Sequence, residues 1–278
     1  MVVRELIREI SAGLCDVENH LFEVHLMLRS VLGLSPIDLV LSYAMEVSPA
    51  DEAKIRAMAA RRKTGEPLCY ILGSAEFMGL EFYVDKNVLI PRADTETLVE
   101  TVLTALGKKG ALLLDIGCGS GCIGLSIAHF NSRVFLRGVD ISPEAVKISE
   151  KNARSLALSD RAAFEVCDIL TRVPGGKYDV IVSNPPYIRS GEIPQLMRDV
   201  RDFEPYGALS GGEDGLVFYR RICKIAPALL NPGGILAFEI GYDQADEVDA
   251  LLQRDFADIK TVRDLSGNDR VVCGVLQY

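Results

Sequence analysis

From Pro91 onward the chain alternates short apolar runs with amphipathic stretches, and this alternation limits the fold more than any other feature. Residues Ala111–Ile116, Val134–Asp140, 163–168, Tyr178–Ser183 and 235–240 read as strands. Between them a helix starts near Asp94, and residues 120–130, 143–156 and 216–230 have helical spacing, with Ser142 capping ahead of Pro143. Strands separated by helices predict a parallel sheet covered on both faces. The end of the chain differs. Residues 259–265 and 271–277 are joined only by Ser266-Gly267-Asn268-Asp269, too short for a crossover, so these strands are expected to be antiparallel.

The first 65 or so residues read as helices throughout. Ser35-Pro36 and Ser48-Pro49 each place a capping hydroxyl before a proline at the first helical position. Thr64-Gly65 closes the helix that starts at Pro49, and Arg61, Arg62 and Lys63 suit its C-terminal dipole. That cationic run reads as solvated helix-end charge rather than a partner contact. Further on, Glu76-Phe77 and residues 80–84 flank Met78-Gly79 and predict a β-hairpin. The expected organisation is a helical domain over 1–67, a β-hairpin linker over 68–90 and an α/β domain over 91–278.

Composition narrows the function. A chain of 278 residues suits about two domains. Its 30 Lys+Arg against 39 Asp+Glu give a net charge of −9, which disfavours a protein that grips phosphates. Seven cysteines without a C-x-x-C pair, and only His20, His25 and His129, predict no metal site. The cysteines read as small apolar fillers in a reducing compartment. The opening MVVRELIREI reads as an acid-bearing amphipathic helix rather than a targeting peptide, and no apolar run approaches a membrane span of about 20 residues. A cytoplasmic protein is expected.

Two loops carry the chemistry. The first, Asp115-Ile116-Gly117-Cys118-Gly119-Ser120-Gly121, joins a strand to a helix, and its glycines permit positive φ and close approach of a ligand. Asp140 ends the next strand, 19 residues after Gly121, where a carboxylate can accept both hydroxyls of a ribose. Gly119-x-Gly121-x-x-Gly124 formally matches a dinucleotide fingerprint, but its first glycine comes three positions after Ile116, so the register is poor. Two acids around the loop would repel phosphate. They suit a ribose-bearing ligand with a positive charge, which describes S-adenosylmethionine. Asp168, at the end of the third strand, reads equally as a cofactor contact or a loop cap.

The second loop, Asn184-Pro185-Pro186-Tyr187, follows the fourth strand. Each proline fixes φ near roughly −65° and lacks an N–H, and Pro185 holds Asn184 extended. The Asn184 side-chain oxygen and the Pro185 carbonyl can then face one –NH₂ group. Gripping both hydrogens of a planar nitrogen orients it toward a methyl donor, so positioning and preorganisation supply most of the help. Tyr187 is expected to wall the flat substrate group.

With these motifs the sequence resembles the HemK/PrmC family, S-adenosylmethionine-dependent methyltransferases that modify glutamine in class-1 peptide chain release factors. The resemblance covers essentially the whole chain. It includes Pro67-Leu68-x-Tyr70-Ile71-x-Gly73, Phe77-x-Gly79-Leu80 and Leu89-Ile90-Pro91-Arg92-x-x-Thr95-Glu96. Phe203-Glu204-Pro205, Ala208-Leu209-x-Gly211-Gly212-x-Asp214-Gly215-Leu216 and Glu239-Ile240-Gly241 also belong to it. It implies a Rossmann-like class I fold, with a seven-stranded, mostly parallel sheet ending in an antiparallel hairpin, preceded by a small helical domain that recognises the release factor. It implies cofactor contacts from Gly117, Cys118, Gly119, Ser120, Gly121, Asp140, Asp168 and Asn184, and the residues themselves add Asp115. Asn184, Pro185, Pro186 and Tyr187 would hold the glutamine of a Gly-Gly-Gln loop, with Asn184 and Pro185 catalytic. The product cofactor is S-adenosylhomocysteine. Ala93 departs from the family pattern, which has proline there in many members, but removes no functional group. Arg92 and Glu96 either orient the cofactor-side loops or form an internal ion pair; Glu239 either supports the site or caps a loop.

Asn-Pro-Pro-Tyr also occurs in adenine-N6 methyltransferases of DNA, so an adenine-N6 or guanine-N2 methyltransferase of DNA or RNA is the alternative. The acids Glu5, Glu9, Asp16, Glu18 and Glu23 in the helical segment suit phosphates poorly. A non-catalytic S-adenosylmethionine binder is a third reading, which would leave Asn184 and Pro185 without a purpose. The expected partner is a class-1 release factor, with no stable nucleic acid, no membrane and no metal, and the expected state is a monomer.

Overall fold

The computed structural model describes residues 1–277; Tyr278, the last residue of the expected α/β domain, lies outside them. The chain forms two compact units. One is Met1–Gly73 with Met197–Phe203, and the other is Ser74–Leu196 with the chain from Glu204 onward.

In the first unit, helices Val3–Gly13, His20–Leu32, Pro36–Leu41, Pro49–Lys63 and Leu68–Leu72 follow one another. Ser35 and Ser48 cap as their place before proline dictates, each Oγ accepting a backbone N–H at 3.1 Å, from Asp38 and Asp51. Leu6, Val24, Met27, Leu28 and Ile55 are wholly buried between the helices. Two of the helix-end cations are paired. Arg61 meets Glu66 at 2.8 Å, and Arg62 reaches Glu23 at 2.6 Å on the second helix.

The second unit opens with a hairpin of β1 (Ser74–Phe77) and β2 (Leu80–Tyr83). Met78 and Gly79 both have positive φ, 53° and 70°, as a two-residue turn that follows the twist of its strands requires. Phe77 and Phe82 are buried in one cluster with Leu98 and Val99, so the hairpin forms part of this unit's core. The main sheet holds β3 (Ala111–Ile116), β4 (Val134–Asp140), β5 (Ala162–Val166), β6 (Tyr178–Ser183), β7 (Leu230–Glu239), β8 (Phe256–Arg263) and β9 (Asp269–Leu276). Their order is β5-β4-β3-β6-β7-β9-β8. Strands β3 to β7 are parallel, and β9 runs antiparallel to both β7 and β8.

Side chains of a strand alternate between faces, and the core follows that period. Ile181 joins a cluster with Tyr219, Ile222, Val248 and Leu252 from helices Val217–Leu229 and Ala245–Leu252. Its neighbours Val180 and Val182 join the opposite cluster, with Leu98, Val99, Ile123 and Leu125 from helices Glu96–Leu106 and Cys122–Phe130. The sheet is thus covered on both faces. Several details depart from the sequence reading: the third strand is Ala162–Val166, the last two are Phe256–Arg263 and Asp269–Leu276, and short helices Arg198–Phe203 and Tyr206–Leu209 were not expected. β7 begins at Leu230 rather than at residue 235, and the register jumps from Tyr178↔Leu230 to Val180↔Ile235, so the intervening residues bulge. Helix Ala245–Leu252 was not expected; its start is acidic and only Val248 and Leu252 are buried.

Candidate active site

The loops after β3, β4, β5 and β6 open at the same edge of the sheet and line one cavity of about 640 Å³. Open α/β sheets bind ligands at this edge, beyond the C-terminal ends of their strands.

After β3 the chain turns through three glycines with positive φ: Gly117 at 72°, Gly119 at 55° and Gly121 at 81°. The Gly117 and Cys118 amides donate to the Val139 carbonyl at 2.8 and 3.1 Å, which ties the turn to β4. Gly117, Cys118, Gly119 and Ser120 line the cavity. A β-carbon on Gly117 or Gly119 would meet nothing within 4 Å, so both leave open space beside the chain. Gly121 does not line the cavity. It caps helix Cys122–Phe130, and its β-carbon would lie 2.9 Å from Leu125 and 3.2 Å from the Ser149 hydroxyl.

Asp115 is also placed away from the cavity, because Ile116, the next residue of β3, takes the cavity-facing position. Its side chain is fully buried. Oδ2 accepts the Gly124 amide at 3.0 Å, and Oδ1 has no partner. Burial pushes its pKa up to about 7. Asp115, expected to contact the cofactor, here holds the first turn of the following helix.

Asp140, at the end of β4, does line the cavity. Oδ2 accepts the Gly119 amide and Oδ1 the Ser142 amide, both at 2.9 Å, so this carboxylate fixes the loop it faces. Each oxygen keeps a lone pair for a hydroxyl donor. Burial raises its pKa, opposed by backbone N–H groups of Ser142, Gly119 and Ile141, and a nearby positive charge would favour its ionised form. After β5, Asp168 lines the cavity and also caps its own loop, accepting from Leu170 N and Thr171 Oγ1 at 2.9 Å. Both sequence readings of Asp168 are thus compatible. Ile141 and Leu170 also line the cavity, although 65% and 42% exposed. They offer apolar surface for a flat base, and nothing in their residue type distinguishes them in the sequence.

After β6, Asn184, Pro185 and Pro186 line the same cavity. Asn184 Nδ2 donates to Thr95 Oγ1 at 3.4 Å, which leaves Oδ1 as the acceptor. Tyr187 is not a cavity wall. Its hydroxyl turns away and donates to Glu239 Oε1 at 3.3 Å, while its carbonyl accepts Gln244 Nε2 at 3.2 Å. Tyr187 packs against the core cluster of Tyr219 and Phe238, which explains the turn. Segment 208–216, set apart in the sequence only as a motif, lies along this loop. Ile188 N donates to the Leu209 carbonyl at 3.0 Å, and Gly211 N to the Ile188 carbonyl at 2.9 Å.

Arg92 lines the cavity and pairs with Glu204, and Glu96 accepts the Met78 amide at 2.6 Å. Glu239, at the end of β7, is 2% exposed, and burial lifts its pKa to about 7. Among the described residues no group of three His, Cys, Asp or Glu could hold a metal ion, and no helix is long and apolar enough to cross a membrane.

A positively charged nucleoside suits these residues. The glycines leave open backbone, the Asp140 carboxylate offers hydroxyl acceptors, and aliphatic walls stand nearby. Beside that cradle stands an amide acceptor on a proline-stiffened loop.

Known proteins resemble this chain over most of its length. Residues 5–73 match the family described as PrmC N-terminal domain, and residues 92–199 the Methyltransferase small domain. The release factor glutamine methyltransferase of Clostridium acetobutylicum is 44% identical over 262 residues, covering 93% of this chain and 92% of the relative. That of Geobacter sulfurreducens is 42% identical, covering 93% and 90%, and that of Clostridium botulinum is 38% identical, covering 98% of both. Among solved structures, a methyltransferase from Pyrococcus furiosus superimposes with TM-score 0.53 at 18% identity, covering 83% of this chain and all of that one. The hMettl16 catalytic domain bound to an RNA hairpin gives TM-score 0.56 at 15% identity, covering 83% and 82%. These two share the fold. At the identity and coverage of the first three, the chain belongs to the family of release factor glutamine methyltransferases.

Proposed function

We propose that the protein transfers a methyl group from S-adenosylmethionine to the side-chain amide nitrogen (N5) of the glutamine in the Gly-Gly-Gln loop of class-1 peptide chain release factors. The observation that carries this reading is the meeting of Asn184 and Pro185 with Gly119 and Asp140 around one cavity.

When bound, S-adenosylmethionine supplies an electrophilic methyl group on a sulfonium and is left as S-adenosylhomocysteine. Gly117, Cys118, Gly119 and Ser120, which line the cavity, would hold it against open backbone, and Asp140 would accept its ribose hydroxyls. Asp168, Ile141 and Leu170 would bound its base. A glutamine nitrogen is a weak nucleophile because its lone pair is delocalised into the carbonyl. Asn184 Oδ1 and the Pro185 carbonyl accept its two N–H groups, orient it and favour its pyramidal form. Pro185 and Pro186 keep the arch stiff, so little reorganisation is needed at the moment of reaction. Neither acceptor is a strong base. The nitrogen becomes acidic as it is alkylated, and its proton passes to water.

The helical domain over 1–67 is assigned to recognition of the release factor and 91–278 to methyl transfer; the hairpin within 68–90, expected as a linker, packs into the core of the second unit. The net charge of −9 supports a protein acceptor over a nucleic acid. The enzyme acts in the cytoplasm as a monomer, without membrane or metal.

Transfer of labelled methyl to three acceptors tests the assignment: a class-1 release factor, the same factor with its loop glutamine replaced by alanine, and duplex DNA. Label on the intact factor alone is expected. Label on DNA, or equal label on both factors, would overturn it.

A further inference from the structure

Helix Pro143–Ser155 follows β4, and its residues Ala145, Ser149 and Asn152 share one face at the spacing i, i+4 and i+7. All three are at most 2% exposed. Ala145 lines the cavity, whereas the other two side chains grip backbone. The Ser149 hydroxyl donates to the Gly119 carbonyl at 2.8 Å, and Asn152 Nδ2 donates to the Ser120 carbonyl at 2.9 Å. The same Asn152 amide holds the end of the hairpin: Nδ2 donates to the Tyr83 carbonyl at 3.0 Å, and Oδ1 accepts the Tyr83 N–H at 2.8 Å. Two carbonyls face Nδ2 and one N–H faces Oδ1, so only one orientation of this amide fits.

These grips decide what the glycine loop can offer a ligand. In a trans peptide the carbonyl and the N–H of the next residue point in opposite directions. With the Gly119 carbonyl turned to Ser149, the Ser120 N–H therefore points away from that helix. The other amides of the loop are taken. Those of Gly117 and Cys118 go to the Val139 carbonyl, that of Gly119 to Asp140, and that of Gly121 to the Cys118 carbonyl at 2.7 Å. Among the described residues nothing accepts the Ser120 N–H, and Ser120 lines the cavity. The chain that leaves Tyr83 lines the same cavity through Lys86, Asn87 and Val88.

We propose that Ser149 and Asn152 are positioning residues for the cofactor: they hold the glycine loop so that the Ser120 N–H is the donor left for S-adenosylmethionine, and Asn152 sets segment 86–88 against that loop. This rests on the reading of the cavity as a cofactor site and deepens it. Neither residue lines the cavity, so both act through the backbone they hold.

Binding of S-adenosylhomocysteine, followed by calorimetry and by the amide resonances of ¹⁵N-labelled protein, tests this. In the wild type the Ser120 amide proton is expected to move downfield as its N–H gains an acceptor. Ser149→Ala is expected to weaken Kd about five- to tenfold, the loss of one oriented hydrogen bond, and to shrink that shift. With a release factor as acceptor, its KM for S-adenosylmethionine should rise while kcat at saturation stays within about twofold. Asn152→Asp sets a carboxylate oxygen against the Tyr83 and Ser120 carbonyls and is expected to weaken Kd more than Ser149→Ala does. Ser126→Ala is the control. It removes an equally buried hydroxyl that holds nothing, and Kd should not change. A Ser120 amide unmoved by the ligand in the wild type, or Ser149→Ala binding as tightly as wild type, would overturn the proposal. The small Ser149→Ala change keeps the test decisive if Asn152→Asp does not fold. If S-adenosylhomocysteine fails to bind the wild type at all, the cofactor reading of the cavity falls; if it binds wild type and Ser149→Ala alike, only the positioning role falls.

Discussion

Gly211 packs directly against Pro186: a β-carbon at position 211 would lie 2.7 Å from the Pro186 carbonyl oxygen and 2.8 Å from the Tyr187 α-carbon. No real β-carbon sits so close to backbone, so segment 208–216 can follow the substrate loop only with glycine there. Gly211→Ala should push the loop off its seat. We expect kcat to fall more than about tenfold while cofactor affinity changes less than about threefold, with a stability cost of roughly 1–3 kcal/mol. Steady-state kinetics and a thermal melt on the same variant check both parts.

Two other glycines should fail in different ways. Gly119 has φ of 55° and open space around its β-carbon position, so Gly119→Ala should strain the loop by about 1–2 kcal/mol and intrude on the cofactor cradle. Gly124 would place a β-carbon 2.6 Å from Leu136 and 2.9 Å from Asp115 Oδ2 inside the core. Calorimetry should find weakened cofactor binding in Gly119→Ala, and melting should find Gly124→Ala the more destabilised of the two.

Asp140 both anchors Gly119 and faces the cavity. Asp140→Ala should weaken S-adenosylmethionine binding about tenfold or more, since it removes a ribose acceptor and loosens the loop. Asn184→Ala should leave that Kd nearly intact. Isothermal titration of the two variants side by side provides the contrast.

The buried acids leave a signature in stability. Asp115 has its pKa raised by burial to about 7, from 3.8 when exposed. The folded state therefore holds a proton that the unfolded chain has released. This contribution is fully present below the exposed pKa and is lost as pH rises toward 7, at most about 1.4 kcal/mol per pH unit. Asp115→Asn removes it. Relative to wild type, the variant should gain stability between pH 5 and pH 7.5, measured by urea unfolding at each pH; parallel curves would contradict the assignment of that slope to Asp115.

Much of this was legible in the sequence, for identifiable reasons. Ala111–Ile116, Val134–Asp140 and Tyr178–Ser183 agree end to end with the observed strands. Most of their side chains are buried, so each reads as a mainly apolar run. The cradle glycines and Asn184 announced themselves through rare combinations at strand ends. Side-chain direction was not legible. Asp115 and Tyr187 were assigned to the ligand by type and place, yet neither lines the cavity: the buried Asp115 carboxylate accepts the Gly124 amide, and Tyr187 turns its hydroxyl to Glu239, 52 residues away. Thr95 sat in a recognised motif, but only folding brings its hydroxyl to 3.4 Å from Asn184 Nδ2. Helix Ala245–Leu252 was too short and too acidic for its period to stand out.

The central claim is that Asn184 and Pro185 present a glutamine amide nitrogen for methylation, and the position of the new methyl group tests it most directly. A class-1 release factor treated with wild-type enzyme and S-adenosylmethionine should yield a loop peptide whose fragmentation places one added methyl on the side-chain nitrogen of its glutamine. The Asn184→Ala enzyme should yield unmodified peptide while still binding the cofactor. A methyl group on any other residue, or the same modification from Asn184→Ala, would contradict the account.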